Sequence, residues 1–397
     1  MNTVGMNTVG MNTVVMNTVG ETKGRARISI VTGLCVSRDA ISASVMYQRQ
    51  VLLDAGYEVR VFAHHSDLLD GEDFSEVRDP WILQRDPYYA TSDLVIFHYG
   101  IFYGLFNALL VKHGQARTVV HFHNITPPGL LSATDAPRAL RSIEQISIAS
   151  MADAVWVDST YNADCLLEWA DVDPENIYPM ALCLDWIVEG ELIAPSDDQV
   201  STPETRIIAV GRMVQAKGLT DLVRAVAALP PSLRSGVRLL LVGGQTHSDA
   251  TYIDELRGLL TSLDLSEQVE LIFDPEDAEL QDLYAAASIF VSPSHHEGFC
   301  VPVIEALTHC CRVIVTDAGA LPDTAGPCGV VVPVGDVQAL AAALEVAATS
   351  GEQTPQELSR AAKHLGQFSI PAFQQRLLLA VEAELALNEP ASAGAIP

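Results

Sequence analysis

The chain has 397 residues, of which 23 are Lys or Arg and 50 are Asp or Glu, so its formal net charge at pH 7 is −27. This length is too great for one ordinary core and suits two domains of ~150 to 200 residues. An acidic surface repels phosphate backbones and anionic lipids, which argues against nucleic-acid binding and against more than weak, peripheral membrane association. Any anion that this protein binds must be held by a few local donors.

The chain begins with four copies of a pentapeptide, MNTVG, in which Val15 replaces one glycine. A period of five suits neither a helix nor a strand, so residues 1–24 are predicted to be a disordered tail outside the fold. No basic stretch is followed by an apolar run here, so a secretory signal is not expected and the predicted location is the cytoplasm. The scattered cysteines form neither a disulfide framework nor a zinc-ribbon spacing, which fits a reducing compartment.

Residues 25–186 alternate strand and helix patterns, which is the unit of a parallel sheet. The predicted strands are 28–31, 58–63, 94–97, 118–122 and 154–157, with a helix over 43–55 between the first two. Each apolar run leads into a polar loop. This region is therefore predicted to be a first, doubly wound Rossmann-like α/β domain.

Residues 187–203 are acidic and rich in turn formers, and we predict a linker there. A second Rossmann-like domain is predicted over 204–370, with strands at 206–210, 237–242, 269–273, 288–291 and 312–315 and helices at 220–229, 250–263, 277–287 and 301–310. Two such domains in tandem form a cleft between the carboxyl ends of their sheets, where ligands bind. A last helix over 371–387 is predicted to pack back on the first domain, followed by a tail over 388–397.

Two basic residues follow the first strand of the second domain, in the segment GRMVQAKG over residues 211–218. Arg212 and Lys217 lie in a strand-to-helix turn flanked by glycines, and the N-terminus of the following helix attracts anions. Arg can fork onto one phosphate while Lys meets another as a point charge. The segment indicates a diphosphate site, and two solvated surface cations are the alternative.

Two carboxylates occur in the segment HHEGFCVPVIEA over residues 295–306, between a predicted strand and a predicted helix. Glu297 is expected in the loop that faces the cleft, and Glu305 near the start of the helix, where Pro302 suits the first turn. Carboxylates so placed can reach different hydroxyls of one ligand. Gly298 allows the backbone to approach closely.

The strand, loop and helix that carry Glu, seven residues and Glu resemble glycosyltransferase family 4, of the GT-B fold, and the upstream Gly-Arg and Lys-Gly element is similar to the same family. The resemblance covers most of residues 206–344 and, more weakly, 25–187. The segment HFHNITPP over residues 121–128 resembles a loop of bacterial members that act on polysaccharide or other glycoconjugate acceptors.

The resemblance implies an enzyme of polysaccharide biosynthesis, a retaining hexosyltransferase. It would move a hexose from a UDP- or GDP-sugar to a hydroxyl of a glycan or other glycoconjugate. It would need no metal and no cofactor, since the nucleotide sugar is a co-substrate. Arg212 and Lys217 would then bind the diphosphate and stabilise the leaving nucleotide. Glu305 would bind the ribose hydroxyls, and Glu297, with Gly298 and Phe299, the donor sugar.

The first domain would then serve as the acceptor domain and the second as the donor domain. The resemblance implies that one histidine of the pair 121 and 123, taken here as His123, approaches the transferred sugar or the acceptor. It also implies that the loop from Gly33, with Arg38 and Asp39, faces the diphosphate. In that loop the family often has a double glycine, whereas this chain has a single one at Gly33.

Several alternatives remain open at this point. Another GT-B enzyme, such as an epimerase or a phosphorylase, could use similar phosphate contacts, and a two-lobed solute-binding protein is a third class. His121 and His123 could ligate zinc, although no third ligand is near them in sequence, and His98 could lie in the core or in the cleft. Asp171 and Asp173 form an Asp-x-Asp that is either a metal motif or an acidic turn.

Overall fold

The computed structural model describes residues 26–37, 39–111, 114–182, 192–193, 204–245 and 248–388. The predicted tail over 1–24, Arg38, nearly all of the predicted linker and the tail beyond Asn388 lie outside these residues. No helix in the described ranges has the length and apolar character needed to span a bilayer.

The first sheet has seven parallel strands in the order β3-β2-β1-β4-β5-β6-β7. Its strands are β1 Arg27–Val31, β2 Glu58–Ala63, β3 Phe74–Glu76, β4 Leu94–Tyr99, β5 Arg117–Phe122, β6 Ala154–Val157 and β7 Ile177–Pro179. The helices of this region are α1 Ala40–Asp54, α2 Pro80–Leu83, α3 Pro87–Ala90, α4 Ala136–Ile146 and α5 Thr160–Trp169. All six residues of the central strand β4 are buried, as expected of a sheet covered on both faces.

The second sheet has six parallel strands in the order β10-β9-β8-β11-β12-β13. Its strands are β8 Thr205–Val210, β9 Val237–Gly243, β10 Val269–Phe273, β11 Ile289–Ser292, β12 Arg312–Thr316 and β13 Gly329–Val332. The remaining helices are α6 Leu219–Ala228, α7 Pro231–Arg234, α8 Ala250–Ser262, α9 Asp277–Ala286, α10 Val301–Thr308, α11 Leu321–Ala325, α12 Val337–Thr349, α13 Pro355–Leu365 and α14 Ile370–Leu387. The structure thus confirms two Rossmann-like domains.

The predicted strands and helices are observed with slightly different ends, whereas several further helices, among them α4, α5, α12 and α13, are not predicted. Helix α1 begins at Ala40 rather than at residue 43, because the Asp39 carboxylate caps it by accepting a hydrogen bond of 2.8 Å from the Ser42 N–H. Helix α10 ends at Thr308 rather than at residue 310. The sequence does not predict β3, β7 and β13, which are edge strands of three or four residues and too short to show a pattern.

Each sheet has one point at which the strand order reverses. In the first sheet it lies between β1 and β4, and in the second between β8 and β11. The loops that follow these four strands diverge and leave a crevice at the carboxyl edge of the sheet. Gly33 and His98 lie at the first crevice, and Arg212, Lys217 and Glu297 lie at the second. Both crevices therefore carry residues that the sequence predicts to be functional.

The last helix, α14, belongs to the first domain although the second domain precedes it in the chain. Phe373, Leu377 and Val381 are fully buried and share a hydrophobic cluster with Ile28 and Ile30 of β1. An ion pair joins the same surfaces, with Nη2 of Arg117 in β5 2.6 Å from Oε2 of Glu384. Helix α14 thus packs back on the first domain, as the sequence predicts.

Candidate active site

The loops after β8 and β11 form one site in the second domain. Glu297 Oε1 accepts hydrogen bonds from Lys217 Nζ at 2.5 Å and from Ser294 Oγ at 2.8 Å. The Lys217 and Glu297 side chains are only 20% and 11% exposed. Burial acts to lower the pKa of Lys217, but the Glu297 carboxylate outweighs it and raises the pKa overall. Lys217 is therefore a protonated cation held beside a carboxylate.

The same two loops are joined through their backbones. The His295 N–H donates to the Ala216 carbonyl at 2.8 Å. Gly218 has a φ of +61°, and a Cβ at this position would collide with the Pro293 carbonyl oxygen. Only glycine allows both the left-handed conformation and this close approach. The two predicted segments are thus locked together, which brings the predicted phosphate ligands next to the predicted sugar ligand.

Glu305 projects from helix α10 and is mostly buried. Its Oε2 accepts a hydrogen bond of 2.7 Å from the Tyr284 hydroxyl, and the carboxylate takes no other hydrogen bond from the described residues. Burial raises the pKa of Glu305, and the Tyr284 hydrogen bond opposes that rise. Tyr284 in turn stacks on His309, with ring centroids 5.5 Å apart. A positioned carboxylate with one oxygen still available can accept hydrogen bonds from ligand hydroxyls.

The two domains touch at Gly298. A Cβ there would lie 2.9 Å from Asn124 Cβ and 3.1 Å from the His123 carbonyl oxygen, and the Ser159 hydroxyl donates to the Gly298 carbonyl at 3.4 Å. The close approach predicted for Gly298 is therefore one with the first domain. Phe299 packs into the core of the second domain with 6% exposure, so its side chain does not face the cleft.

On the first domain, three histidines and one aspartate form a buried cluster, which we call the histidine cluster: His98, His121, His123 and Asp158. Asp158 lies 2.9 Å from Nδ1 of His123 through Oδ2 and 3.0 Å from Nε2 of His121 through Oδ1. His98 Nδ1 lies 2.9 Å from Nε2 of His123. His98 is the third histidine that sequence proximity does not supply, because it stands opposite His121 on the neighbouring strand.

The protonation of the histidine cluster follows from its burial. Burial lowers the pKa of His98 and of His121, so both rings are neutral at pH 7. Burial acts to raise the pKa of Asp158, but His123 and the two hydrogen bonds lower it overall, and the group is a carboxylate. An ionised Asp158 accepts hydrogen bonds from Nδ1–H of His123 and Nε2–H of His121. Asp158 directly follows β6, so the strand-end rule could have found it.

The zinc alternative gains its third ligand in this cluster, since nitrogens of the three rings lie within 4.8 Å of one another. Hydrogen bonds already occupy these nitrogens, because Gln48 Nε2 lies 2.8 Å from the remaining His121 nitrogen. The exception is His98 Nε2, which is buried with no hydrogen-bond partner among the described residues. The arrangement fits a hydrogen-bonded support for His123 better than a metal centre.

A cavity of about 1100 Å³ lies where the domains face each other. Gly33, Asp39 and His98 line it from the first domain, and Arg212 lines it from the second. Gly33 and Arg212, predicted phosphate ligands from the two domains, therefore share one cavity, whereas Lys217 is not among the residues that line it. The acidic-turn alternative for Asp171 and Asp173 fits the structure, since Asp173 accepts a hydrogen bond of 3.0 Å from the Glu175 N–H and caps a short 3₁₀ helix.

Comparison with known proteins bears on this site. Residues 195–365 match the family described as Glycosyl transferases group 1. A D-inositol 3-phosphate glycosyltransferase of Actinosynnema mirum is 31% identical over 199 residues, which cover 48% of each chain. The chain spans about half the length of the curated relatives that it matches.

Solved structures share the fold over most of the chain. Sucrose-phosphate synthase of Thermosynechococcus elongatus matches with a TM-score of 0.66 and 21% identity, covering 91% of this chain and 100% of the other. The HepE protein of Anabaena, solved with UDP, matches with a TM-score of 0.67 and 18% identity, covering 90% and 100%. At these identities the likeness shows the GT-B fold alone. The chain therefore has the GT-B fold, and its residues 195–365 match the family of group 1 glycosyl transferases.

Proposed function

We propose that the protein transfers a hexose from a UDP- or GDP-sugar to a hydroxyl of a glycan or other glycoconjugate, with retention of anomeric configuration and without a metal. The observation that carries this proposal is the Lys217–Glu297 contact at the carboxyl edge of the second sheet. It sets a cation for phosphate beside a carboxylate for sugar hydroxyls. The fold shared with HepE, a protein solved in complex with UDP, supports a nucleotide donor.

The diphosphate of the donor would be held by Arg212 and Lys217. Arg212 is exposed and lines the cavity between the domains, and the mostly buried Lys217 carries a full positive charge. As the bond between the sugar and the diphosphate breaks, negative charge builds on the departing phosphate oxygen. Cations that are already in position stabilise this charge and lower the activation barrier of transfer, because they do not have to reorganise during the reaction. Gly33 approaches from the first domain, where it lines the same cavity as Arg212.

The two glutamates would bind the nucleoside end and the sugar end of the donor. Glu305 would accept hydrogen bonds from the ribose hydroxyls through the oxygen that Tyr284 leaves available. Glu297 would accept hydrogen bonds from hydroxyls of the transferred sugar, and its negative charge would stabilise an oxocarbenium-like transition state. Gly298 and Phe299 would border the sugar through their backbone atoms only. Gly298 has no side chain, and the Phe299 side chain packs in the core of the second domain.

His123 would border the transferred sugar from the first domain, on a ring held by Asp158. With the diphosphate and the acceptor on one face of the sugar, the acceptor oxygen bonds to the anomeric carbon on the face from which the phosphate oxygen leaves. The acceptor proton passes to that departing phosphate oxygen. Configuration is thereby retained and no metal takes part.

Binding of nucleotide sugars and analysis of the product test this proposal together. A thermal-shift screen of UDP- and GDP-sugars should find a donor that raises the Tm of the parent, because a ligand that binds the folded state stabilises it. Arg212→Ala and Lys217→Ala should lose that shift, whereas the exposed Arg257→Ala and Lys363→Ala should keep it. If the first two variants bind and turn over the donor like the parent, the phosphate assignment is wrong.

The product distinguishes the alternative, another GT-B enzyme such as an epimerase or a phosphorylase. A transferase makes a new glycosidic linkage to an acceptor hydroxyl and releases a nucleoside diphosphate. An epimerase returns no linkage, and a phosphorylase releases a sugar 1-phosphate when inorganic phosphate is present. Determination of the anomeric configuration of the product by NMR tests retention in the same reaction.

A further inference from the structure

We infer that the cavity between the domains receives an acceptor that carries a phosphate monoester, and that Arg138 and Arg141 of helix α4 bind this phosphate. The inference rests on the proposed function, since it names the class of hydroxyl compound that the transferase would glycosylate. Both arginines line the cavity on the side of the first domain. They are a second cationic pair, separate in the chain from the pair proposed for the donor diphosphate.

The geometry of helix α4 gives the two arginines a common direction. Residues three positions apart on a helix share one face, so Arg138 and Arg141 present two guanidinium groups side by side. The Arg141 guanidinium carbon lies 3.8 Å from the centroid of the Phe102 ring, which also lines the cavity. Stacking on an aromatic face orients a guanidinium without neutralising it.

Neither arginine has a carboxylate partner among the residues that the structure describes, and both side chains are exposed. Among the described residues that line the cavity, Asp39 is the one acidic residue. Its carboxylate is used at the start of helix α1, where it accepts hydrogen bonds from the Ser42 N–H at 2.8 Å and the Ser42 hydroxyl at 2.7 Å. The arginine charges are thus available to a ligand.

The clustering of arginines in this cavity is unusual because the surrounding chain is acidic. Residues 1–186 contain 12 Lys and Arg against 22 Asp and Glu. A solvated arginine in such a domain would be expected to pair with one of the many carboxylates. Instead Arg138, Arg141 and Arg212 all line the same cavity. A local positive field inside an acidic protein selects for an anion that enters this cavity.

The number of donors favours a phosphate monoester over a carboxylate. Two guanidinium groups can each form a pair of parallel hydrogen bonds, and a monoester offers three terminal oxygens and a charge near −2, against two oxygens and −1 for a carboxylate. His98 adds a polar contact of another kind, because it lines the cavity as a neutral ring with an unpartnered Nε2. A neutral imidazole suits a hydroxyl of the acceptor.

The test keeps the donor site filled. Nucleoside diphosphate, UDP or GDP according to which one stabilises the protein, is held at saturation so that added phosphate compounds do not occupy the diphosphate site. Glucose 6-phosphate, myo-inositol 3-phosphate and inorganic phosphate are then titrated, with glucose and myo-inositol as the unphosphorylated counterparts. We expect at least one phosphate compound to bind the parent, and no comparable binding of the unphosphorylated compounds.

The variants decide whether the two arginines are responsible. We expect Arg138→Ala/Arg141→Ala to weaken binding of the phosphate compound at least about tenfold, since two charge-assisted interactions are lost. Arg85→Ala, an exposed arginine of the same domain outside the cavity lining, should bind like the parent. Because both arginines are exposed, the ligand-free Tm of the double variant should match that of the parent.

Three results would overturn the inference. The first is that the double variant binds the phosphate compound as well as the parent does. The second is that the parent binds none of the phosphate compounds. The third is that the double variant loses nucleotide binding, which would assign the arginines to the donor site. The proposed function is judged separately, by nucleotide-sugar binding in the absence of any acceptor. If donor binding and transfer to an unphosphorylated acceptor persist while the double variant behaves like the parent, only the acceptor inference fails.

Discussion

Lys217 Nζ and Glu297 Oε1 lie 2.5 Å apart, although 80 positions separate the two residues in the chain. The contact joins the loop after β8 to the loop after β11, the two loops that border the switch point of the second sheet. It also gives each charge a partner in the absence of ligand. A donor that enters this site would therefore meet charges that are already oriented.

The first prediction concerns this pair. Lys217→Ala should weaken donor binding, because the diphosphate loses a cation. Glu297→Gln should lower kcat by about 10²-fold or more with a smaller effect on nucleotide affinity, because the charge that stabilises the transition state is removed. The double variant should lose less activity than the sum of the losses in the two single variants. Each single variant leaves the remaining charge of the pair largely buried and without its partner, whereas the double variant leaves neither. Measured kcat and KM for the four proteins would contradict this if the two effects were additive.

The second prediction concerns Glu305. Glu305→Gln should weaken nucleotide binding, because an acceptor for the ribose hydroxyls is lost, while Glu279→Gln on the exposed part of α9 should not. Tyr284→Phe removes the hydrogen bond that holds down the pKa of Glu305 against burial. The pKa should then rise further, and nucleotide binding should be lost at a higher pH than in the parent as pH falls. Calorimetric titration at several pH values checks the shift, and an unchanged profile would exclude a role for ionised Glu305.

The third prediction tests the contact between the domains. In Gly298→Ala the new Cβ would lie 2.9 Å from Asn124 Cβ, closer than side chains tolerate, so the domains must move apart. Turnover should fall, and small-angle scattering should show a larger radius of gyration than that of the parent. Gly258→Ala is the matched control, because a Cβ there meets nothing within 4 Å. Scattering curves that superimpose for Gly298→Ala and the parent would refute the prediction.

The fourth prediction is a pH dependence of stability. Burial lowers the pKa of His98 and of His121 from the usual 6.5 in the folded state. As pH falls below about 6.5, both histidines become protonated in the unfolded chain but stay neutral in the folded chain. The free energy of unfolding should therefore decrease by up to about 1.4 kcal/mol per pH unit for each group. Below pH 3.8 protonation of Asp158, whose pKa is lowered by folding, should add a further loss.

Urea unfolding between pH 8 and pH 5 measures this slope. His98→Gln should reduce it, because one of the buried groups no longer titrates. The exposed His65→Gln is the matched control outside the histidine cluster. A slope that is the same in His98→Gln and in the parent would show that His98 does not carry the effect.

The fifth prediction concerns helix α14. Leu377 is fully buried against the first sheet, so Leu377→Ala should lower the free energy of unfolding by about 2 to 5 kcal/mol. Leu379, two residues away, is 42% exposed, and Leu379→Ala should cost far less. Equal losses in the two variants, measured by chemical denaturation, would argue against the packing of α14 on the first domain.

The sequence predicts the central strands of both sheets because fully buried parallel strands are continuous apolar runs. It also predicts Arg212, Lys217 and Glu297 in loops and Glu305 on the helix that follows, since ligands bind at the carboxyl ends of such strands. The sequence does not predict the distances between these loops. Nothing in the sequence indicates that Lys217 and Glu297 touch, because that contact depends on β8 and β11 being neighbours in space.

The histidine cluster illustrates the same limit. His121 and His123 are visible as a pair in the sequence. His98 lies in β4 and Asp158 directly follows β6, the two strands that flank β5, and the local sequence pattern does not indicate strand order. The cavity arginines are missed for a related reason. Helix α4 has no predicted start in the sequence, so the common face of Arg138 and Arg141 is not apparent.

The packing of helix α14 has a consequence for biosynthesis. The first domain shares its hydrophobic cluster with Phe373, Leu377 and Val381, which the ribosome makes only after all strands of the second domain. During synthesis the early sheet must therefore persist with part of its apolar surface uncovered until the chain returns to it. A nascent chain stalled between the domains would expose that surface to chaperones, and expression of residues 25–186 alone would yield a protein prone to aggregation.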